Sequence, residues 1–442
     1  MTFSRALDHL KTSLDASKAY TLFGKIIDIQ GMCVVGSADH PSICIASQVI
    51  IVKDTHSFYG EVVALKNNQA TILLATPIMG LSIGDPIHYK GGASVIYPSA
   101  QWLGRTLNAF GEPLDSLGGM PKGSMAIPLK KQPLSAIRRR KVNQVMDLGI
   151  RAMNSFTPVC QGQRLGIFSG SGVGKSVLIS MLARNTACDV CVIGLIGERG
   201  REVREFIEDT LGKEGLQKSI LVIATSDEPP LARRQAAYMA LTIAEYFRDL
   251  GKNVLCMMDS LTRFAMAQRE IGLSAGEPPT TKGYPPSTFF ELAQLCERAG
   301  PGLDGSGMIT AFFSVLVDGD DHNEPISDAV RGILDGHIYL DRALAERGHY
   351  PAIHVLKSIS RLTSTALNDH QKDLLQQAKK NLSAYEDMAE LIRIGAYQQG
   401  SDADVDRAIQ LYPSFFEFLT QKPDERTSFN ETFERLEGIL GR

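Results

Sequence analysis

No run of about 18 apolar residues occurs in this chain, and its first residues lack a charged-then-apolar leader. Neither a membrane span nor a secretory signal is expected, and a cytoplasmic location is. An excess of one charge is also missing. Lys and Arg number 46 against 49 acids in 442 residues, so no global basic field points to nucleic acid. Seven cysteines, an odd number in a long chain, do not describe a disulfide framework. Cys188 and Cys191 have redox CxxC spacing, but they open an apolar run and no second CxxC offers zinc ligands. The bland reading, free core cysteine, is preferred. Internal repeats and low-complexity segments are absent too. What is left is an ordinary globular composition, 44% hydrophobic and 21% charged, at a length that suggests about three domains.

Periodicity changes along the chain. In the first twenty residues Phe3, Leu7, Leu10 and Leu14 fall on one helical stripe among Arg5, Asp8, Lys11 and Lys18. That stripe suits a terminal helix packed on its own domain or a docking helix for a partner or membrane surface. From residue 20 to about 90, short β-type runs predict a small barrel or sandwich. They include Gly24-Lys-Ile-Ile-Asp-Ile, Ser42-Ile-Cys-Ile-Ala, Gly60-Glu-Val-Val-Ala-Leu and Ala70-Thr-Ile-Leu-Leu-Ala, with Asn67-Asn68 suited to a tight hairpin. Between residues 91 and 365 continuous apolar runs alternate with amphipathic stretches, which predicts a parallel sheet covered on both faces. Beyond 366, strand signals fade, and 374–394, 405–409 and 432–440 read as helices with Pro413 and Pro423 as breaks. The partition is 1–90, 91–365 and 366–442.

The strongest motif is Ser169-Gly-Ser-Gly-Val-Gly-Lys-Ser176, between an apolar strand at 165–168 and a helix-like stretch at 177–184. That context marks a phosphate loop. Gly170, Gly172 and Gly174 let backbone N–H groups curve round phosphate oxygens, and the helix N-terminus behind them favours negative charge. Lys175 supplies a point charge to the β- and γ-phosphates of ATP, and the Ser176 hydroxyl is a magnesium ligand. Ser171, Val173 and Val177 complete the nucleotide-contacting set. The strict pattern opens on glycine; here Ser169 stands there, and serine can cap a turn.

Hydrolysis needs more than a phosphate cradle. The next apolar run ends in Gly197-Glu198-Arg199-Gly200 and is expected one strand away from the loop. Glu198 there can polarise water and Arg199 can reach γ-phosphate oxygens. Asp259 closes the run 253–258 as a carboxylate that would hold Mg2+ largely through water. Singly, acids at strand ends are common; their order after a phosphate loop gives them weight, because ligand sites in open α/β sheets lie beyond the carboxyl ends of strands.

Gly197-Glu-Arg-Gly-Arg-Glu202, Asp259-Ser-Leu-Thr-Arg-Phe-Ala265 and Ser360-Arg361 resemble the catalytic subunits of rotary ATP synthases and their type III export relatives. Ala224-Thr-Ser-Asp-Glu-Pro-Pro-Leu231, Arg269-Glu-Ile-Gly-Leu273, Gly276-Glu-Pro-Pro-Thr-Thr-Lys-Gly-Tyr-Pro-Pro286 and Asp335-Gly-His-Ile338 are similar to the export branch, and the Pro-Pro runs lean flagellar. The resemblance runs from Gly104-Arg-Thr-Leu to Gly400-Ser-Asp402. It implies a β-barrel, a RecA-like nucleotide domain and a helical C-terminal domain, assembled as a homohexamer with nucleotide at each interface. It implies that Glu198 positions water, that Tyr350 stacks on adenine, and that Arg361 reaches the neighbouring subunit's site. Read alone, Tyr350 would be a core tyrosine beside a proline turn and Arg361 a surface arginine. Glu198, where non-catalytic ring subunits carry an amide-type residue, speaks for a catalytic ring of identical subunits. The implied partners are a coiled-coil stalk protein in the pore, a stator-like regulator on the N-terminal segment, the export gate, and chaperone–substrate complexes, with peripheral attachment to the inner face of the cytoplasmic membrane.

Alternatives stay in view: the ATPase of a virulence injection apparatus, an ATP synthase subunit, a non-catalytic nucleotide-binding scaffold, and a hexameric RNA translocase. Balanced charge and the lack of an RNA-binding β-domain signature argue against the last, so no nucleic-acid partner is expected. The basic cluster Arg138-Arg-Arg-Lys141, ahead of a predicted helix at 142–154, reads as solvated surface charge.

Overall fold

The computed structural model describes residues 22–90, 94–317 and 324–441; the stripe Phe3, Leu7, Leu10 and Leu14 lies outside them. The chain divides into two compact units, the first comprising Met1–Ser94 with Glu228–Leu231 and Glu270–Pro278, the second the rest.

In the first unit six strands close a barrel: β1 (Leu22–Gln30), β2 (Cys33–Ser37), β3 (Gln48–Lys53), β4 (His56–Lys66), β5 (Gln69–Leu74) and β6 (Pro86–Lys90), in the order β1-β2-β5-β4-β3-β6. Alternation puts Ile26, Val34, Val49, Ile51, Val62, Ile72 and Ile87 inside. β4 and β5 are joined by Asn67 and Asn68 at φ 50° and 56°. Two successive left-handed residues make the turn whose twist matches the flanking strands. Ser42-Ile-Cys-Ile-Ala is not a strand but a turn preceding β3. Ala46 takes φ 69°, and the Cys44 N–H donates to the Ser47 hydroxyl at 3.0 Å, so this apolar run folds on itself instead of pairing.

The second unit is built on a sheet of β7 (Thr106–Asn108), β8 (Arg164–Ser169), β9 (Val190–Glu198), β10 (Ser219–Thr225), β11 (Asn253–Asp259), β12 (Met308–Leu316), β13 (Gly336–Leu340) and β14 (Ile359–Ser360). Its order is β14-β13-β8-β12-β11-β9-β10-β7, parallel except for β14. Successive residues of β9 face opposite ways: Val192 and Ile196 enter one core, Cys191, Ile193 and Leu195 the other. Both faces are covered, which is why the strands are uninterrupted apolar runs. The order corrects one expectation. Glu198 closes a strand three places from the phosphate-loop strand, with β12 and β11 between, not one.

On one face lie α1 (Arg151–Phe156), α2 (Lys175–Asn185) and three C-terminal helices, α3 (Asp369–Arg393), α4 (Ala403–Leu419) and α5 (Phe429–Leu440), whose Leu374, Phe415 and Phe433 enter the same core as Leu178 and Leu182. α3 starts at a capping box in which the Asn368 side chain accepts from the Gln371 N–H and the Gln371 side chain accepts from the Asn368 N–H. Two further expectations fail. Helix begins only at Arg151, since residues 142–150 carry β-type pairing of Val145–Met146 and loop. Pro413 lies inside α4 instead of ending it. Cys188 and Cys191 are free thiols, the latter buried, and among the described residues no cluster of three or more His, Cys, Asp or Glu could hold a metal. Arg138 and Arg140 are exposed, but Arg139 is half-buried and donates to the Glu297 carbonyl at 2.7 Å, so the basic cluster is partly a structural tether.

Candidate active site

β8 runs straight into the phosphate loop. Gly172 and Gly174 sit at φ 78° and 89°, in the left-handed region that side chains avoid, and Gly174 is the N-cap of α2. A Cβ on Gly174 would meet the Tyr350 ring at 3.2 Å, so only glycine lets the aromatic lie against the loop. Tyr350 is no core residue: it is 40% exposed. Val173 is buried, Val177 half-buried, and Ser171 and Ser176 are exposed at the loop surface. Gly170, Ser171, Gly172, Gly174, Lys175, Ser176 and Val177 line a cavity of about 370 Å3. Ser169 does not cap a turn: its hydroxyl is buried with no hydrogen-bond partner among the described residues, while its carbonyl accepts from the Val317 N–H at 3.0 Å.

The Lys175 ammonium ends between two carboxylates, 2.5 Å from Asp259 Oδ1 and 3.6 Å from Glu198 Oε1. Although the strands carrying Glu198 and Asp259 lie beyond β12, both end at the same edge of the sheet, and the long lysine reaches along it. Burial opposes the Lys175 charge, but Asp259 and then Glu198 outweigh it and hold the pKa above the ordinary lysine value. Glu198 is pushed up to about 7, first by burial and then by repulsion from Asp259, with Lys175 only partly offsetting them. Asp259 Oδ1 also accepts from the Ser314 hydroxyl at 2.5 Å.

Arg199 stands at the cavity wall but turns to solvent, its side chain 80% exposed and 3.5 Å from Glu202. Arg361 is not brought to this site. It follows Ser360, which pairs with Gly336 at the start of β13, whereas the phosphate loop follows Ser169, level with Leu340 at that strand's end. The four residue steps from Gly336 to Leu340 put about 13 Å of sheet between the two levels, and Arg361 is exposed there.

Residues 149–360 match the ATP synthase alpha/beta family nucleotide-binding domain, and residues 367–438 the T3SS EscN ATPase C-terminal domain. The chain is 53% identical to the flagellum-specific ATP synthase of Caulobacter vibrioides over 95% of its own length and 96% of the relative's. It is 46% identical to the same-named protein of Bacillus subtilis over 97% of each chain. This chain belongs to the flagellum-specific ATP synthase family. Among solved structures, the assembled ATPase EscN of the enteropathogenic E. coli type III secretion system superimposes with a TM-score of 0.88 at 39% identity, covering 95% of this chain and all of that one. EscN in complex with its central stalk EscO gives 0.86 at 38%, with the same coverage. The expected fold class, a barrel before a parallel α/β nucleotide core and C-terminal helices, is the one found.

The site of this chain holds more than Lys175, Glu198 and Asp259. Arg263 lines the cavity and presses its Cβ against Gly197, where an added Cβ would approach to 2.9 Å and φ is 71°, so Gly197 too has to be glycine. Its signal was the motif Asp259-Ser-Leu-Thr-Arg263, read only as a resemblance. Arg342 donates to the Ser171 carbonyl at 3.2 Å and steadies the loop tip. Ser314 had no signal beyond being a hydroxyl in an apolar strand.

Proposed function

We propose that this chain hydrolyses ATP in a ring of six like subunits and that the hydrolysis drives type III export of flagellar proteins. The observation that carries the reading is the Lys175 ammonium flanked by Asp259 and Glu198 at the mouth of a phosphate loop. An arriving triphosphate offers Lys175 new anionic partners and frees Glu198. The Glu198 carboxylate then takes a proton from water as the water oxygen bonds to the γ-phosphorus and the bond to the bridging oxygen breaks. Backbone N–H groups of the loop hold the departing diphosphate. The oxygen donors Ser176 and Asp259 suit Mg2+, which keeps several waters and binds through one or two protein oxygens plus substrate phosphates. When bound, Mg2+ supplies positive charge that offsets the phosphates. Tyr350 stacks on adenine. Arg199 approaches the γ-phosphate only after leaving Glu202.

Arg361, at the far edge of its own sheet, serves a neighbouring subunit's site, where a guanidinium stabilises charge on the transferring phosphoryl group. EscN was solved both assembled and with a central stalk, which supports a ring with a coiled-coil stalk partner here. A stator-like regulator on the N-terminal segment, the export gate, chaperone–substrate complexes and attachment to the inner membrane face complete the proposed setting. The flagellar relatives, up to 53% identical against 39% for the assembled EscN, favour flagellar over virulence export.

Glu198→Gln should still bind nucleotide while turnover falls by about 10²–10⁴-fold. Undiminished hydrolysis would remove Glu198 from its role. Deletion of the gene should abolish flagellar filaments, and normal filaments would redirect the reading to the virulence branch.

A further inference from the structure

Gln421 follows α4 by two residues and is 2% exposed. Every polar atom of its side chain is engaged. Oε1 accepts from the Arg151 N–H at 2.9 Å, and Nε2 donates to the Gly149 and Glu425 carbonyls, each at 2.8 Å. Its own N–H donates to the Tyr350 carbonyl at 2.8 Å. The element carrying Gln421 is itself pinned. Arg151, 4% exposed at the start of α1, donates to the carbonyls of Phe418 at 2.7 Å and Thr420 at 2.6 Å, a cation on the open carbonyls of a helix C-terminus. The chain from phosphate loop to C-terminal helices is therefore continuous: Gly174, the Tyr350 ring, the Tyr350 carbonyl, Gln421, Arg151.

Tyr350 is 40% exposed, so the place of its ring is set by its backbone more than by packing around it. Pro351, the next residue, brings no N–H to anchor the turn. The Gln421 N–H is what engages the Tyr350 carbonyl, and the three side-chain bonds fix where that N–H points. We propose that Gln421 is a positioning residue for nucleotide: it sets the Tyr350 ring at the adenine end of the site and ties that end to α4. The proposal rests on Tyr350 being the adenine-stacking residue.

Gln421→Glu keeps the acceptor for the Arg151 N–H but loses both donors, setting a carboxylate against the Gly149 and Glu425 carbonyls. The full-length variant should show KM for ATP raised about tenfold with kcat within about twofold. The competitive inhibition constant of inorganic triphosphate, which has no adenine, should be unchanged. Tyr350→Ala should raise KM comparably, and the double variant should be no worse than Tyr350→Ala alone, because one residue acts through the other. Gln421→Asn, with the same amide on a shorter arm, should give a smaller shift in the same direction and replaces the glutamate variant if that one does not fold. An unchanged KM in the Gln421 variants beside a raised KM in Tyr350→Ala overturns the role of Gln421 alone. Equal weakening of ATP and triphosphate, or additive effects in the double variant, also overturns it. Tyr350→Ala with an ordinary KM overturns the stacking reading first, and the proposal with it.

Discussion

Glu198 carries two demands that pull apart. As a base it must be ionised, yet burial and Asp259 push its pKa to about 7. In the free enzyme kcat/KM should therefore fall about tenfold per pH unit below about 7 and level off above it; a pH–rate profile flat to 5.5 would contradict this. The same shift acts on stability. A carboxyl whose folded pKa lies above its unfolded value contributes stability fully present below the unfolded value and lost as pH rises through about 7. Nucleotide-free Glu198→Gln should thus melt above the unsubstituted protein at pH 8, and the two should converge near pH 5. Ser314→Ala removes a donor from buried Asp259. It should destabilise by about 1.5–3 kcal/mol in denaturant unfolding. What was legible here is local: a glycine loop, and acids that end apolar runs. The Ser314 contact joins residues 55 apart in sequence and the Arg151–Gln421 contact residues 270 apart, so neither left a mark in any window of sequence.

Strands and helices announced themselves through periodicity, but their neighbours did not. β12 comes late in the chain and inserts between β8 and β11, so sequence order misplaces Glu198 by two strands while leaving it at the correct edge. An apolar run can be a turn, as at Ser42-Ile-Cys-Ile-Ala, when a left-handed residue and a side-chain hydrogen bond compete with pairing. Proline, too, is a weaker stop than its reputation: Pro413 is carried within α4, whose Phe415 and Phe418 are buried in the core that the helix faces. The Asn67-Asn68 hairpin was readable because its chemistry is local. Asn68→Val puts a β-branched side chain at φ 56° and should destabilise by about 1–2 kcal/mol. Asn68→Gly should be neutral or stabilising, and thermal unfolding of the two variants checks both.

For the whole molecule the decisive fact is an omission from the site: one chain gathers Lys175, Glu198 and Asp259 at one edge of its sheet and leaves Arg361 at the opposite edge. Composition and motifs could not say whether that arginine serves its own loop, because the answer depends on the register of β8, β13 and β14. The central claim is that a working site takes its base from one subunit and its arginine from the next. Glu198→Gln and Arg361→Ala proteins, each inactive by about 10²-fold or more alone, should be mixed in equal amounts and their ATP hydrolysis measured. Rings of the mixture contain interfaces with an intact Glu198 facing an intact Arg361, and activity should recover to as much as about a quarter of the unsubstituted level. A mixture no more active than the sum of its two parts would contradict the account.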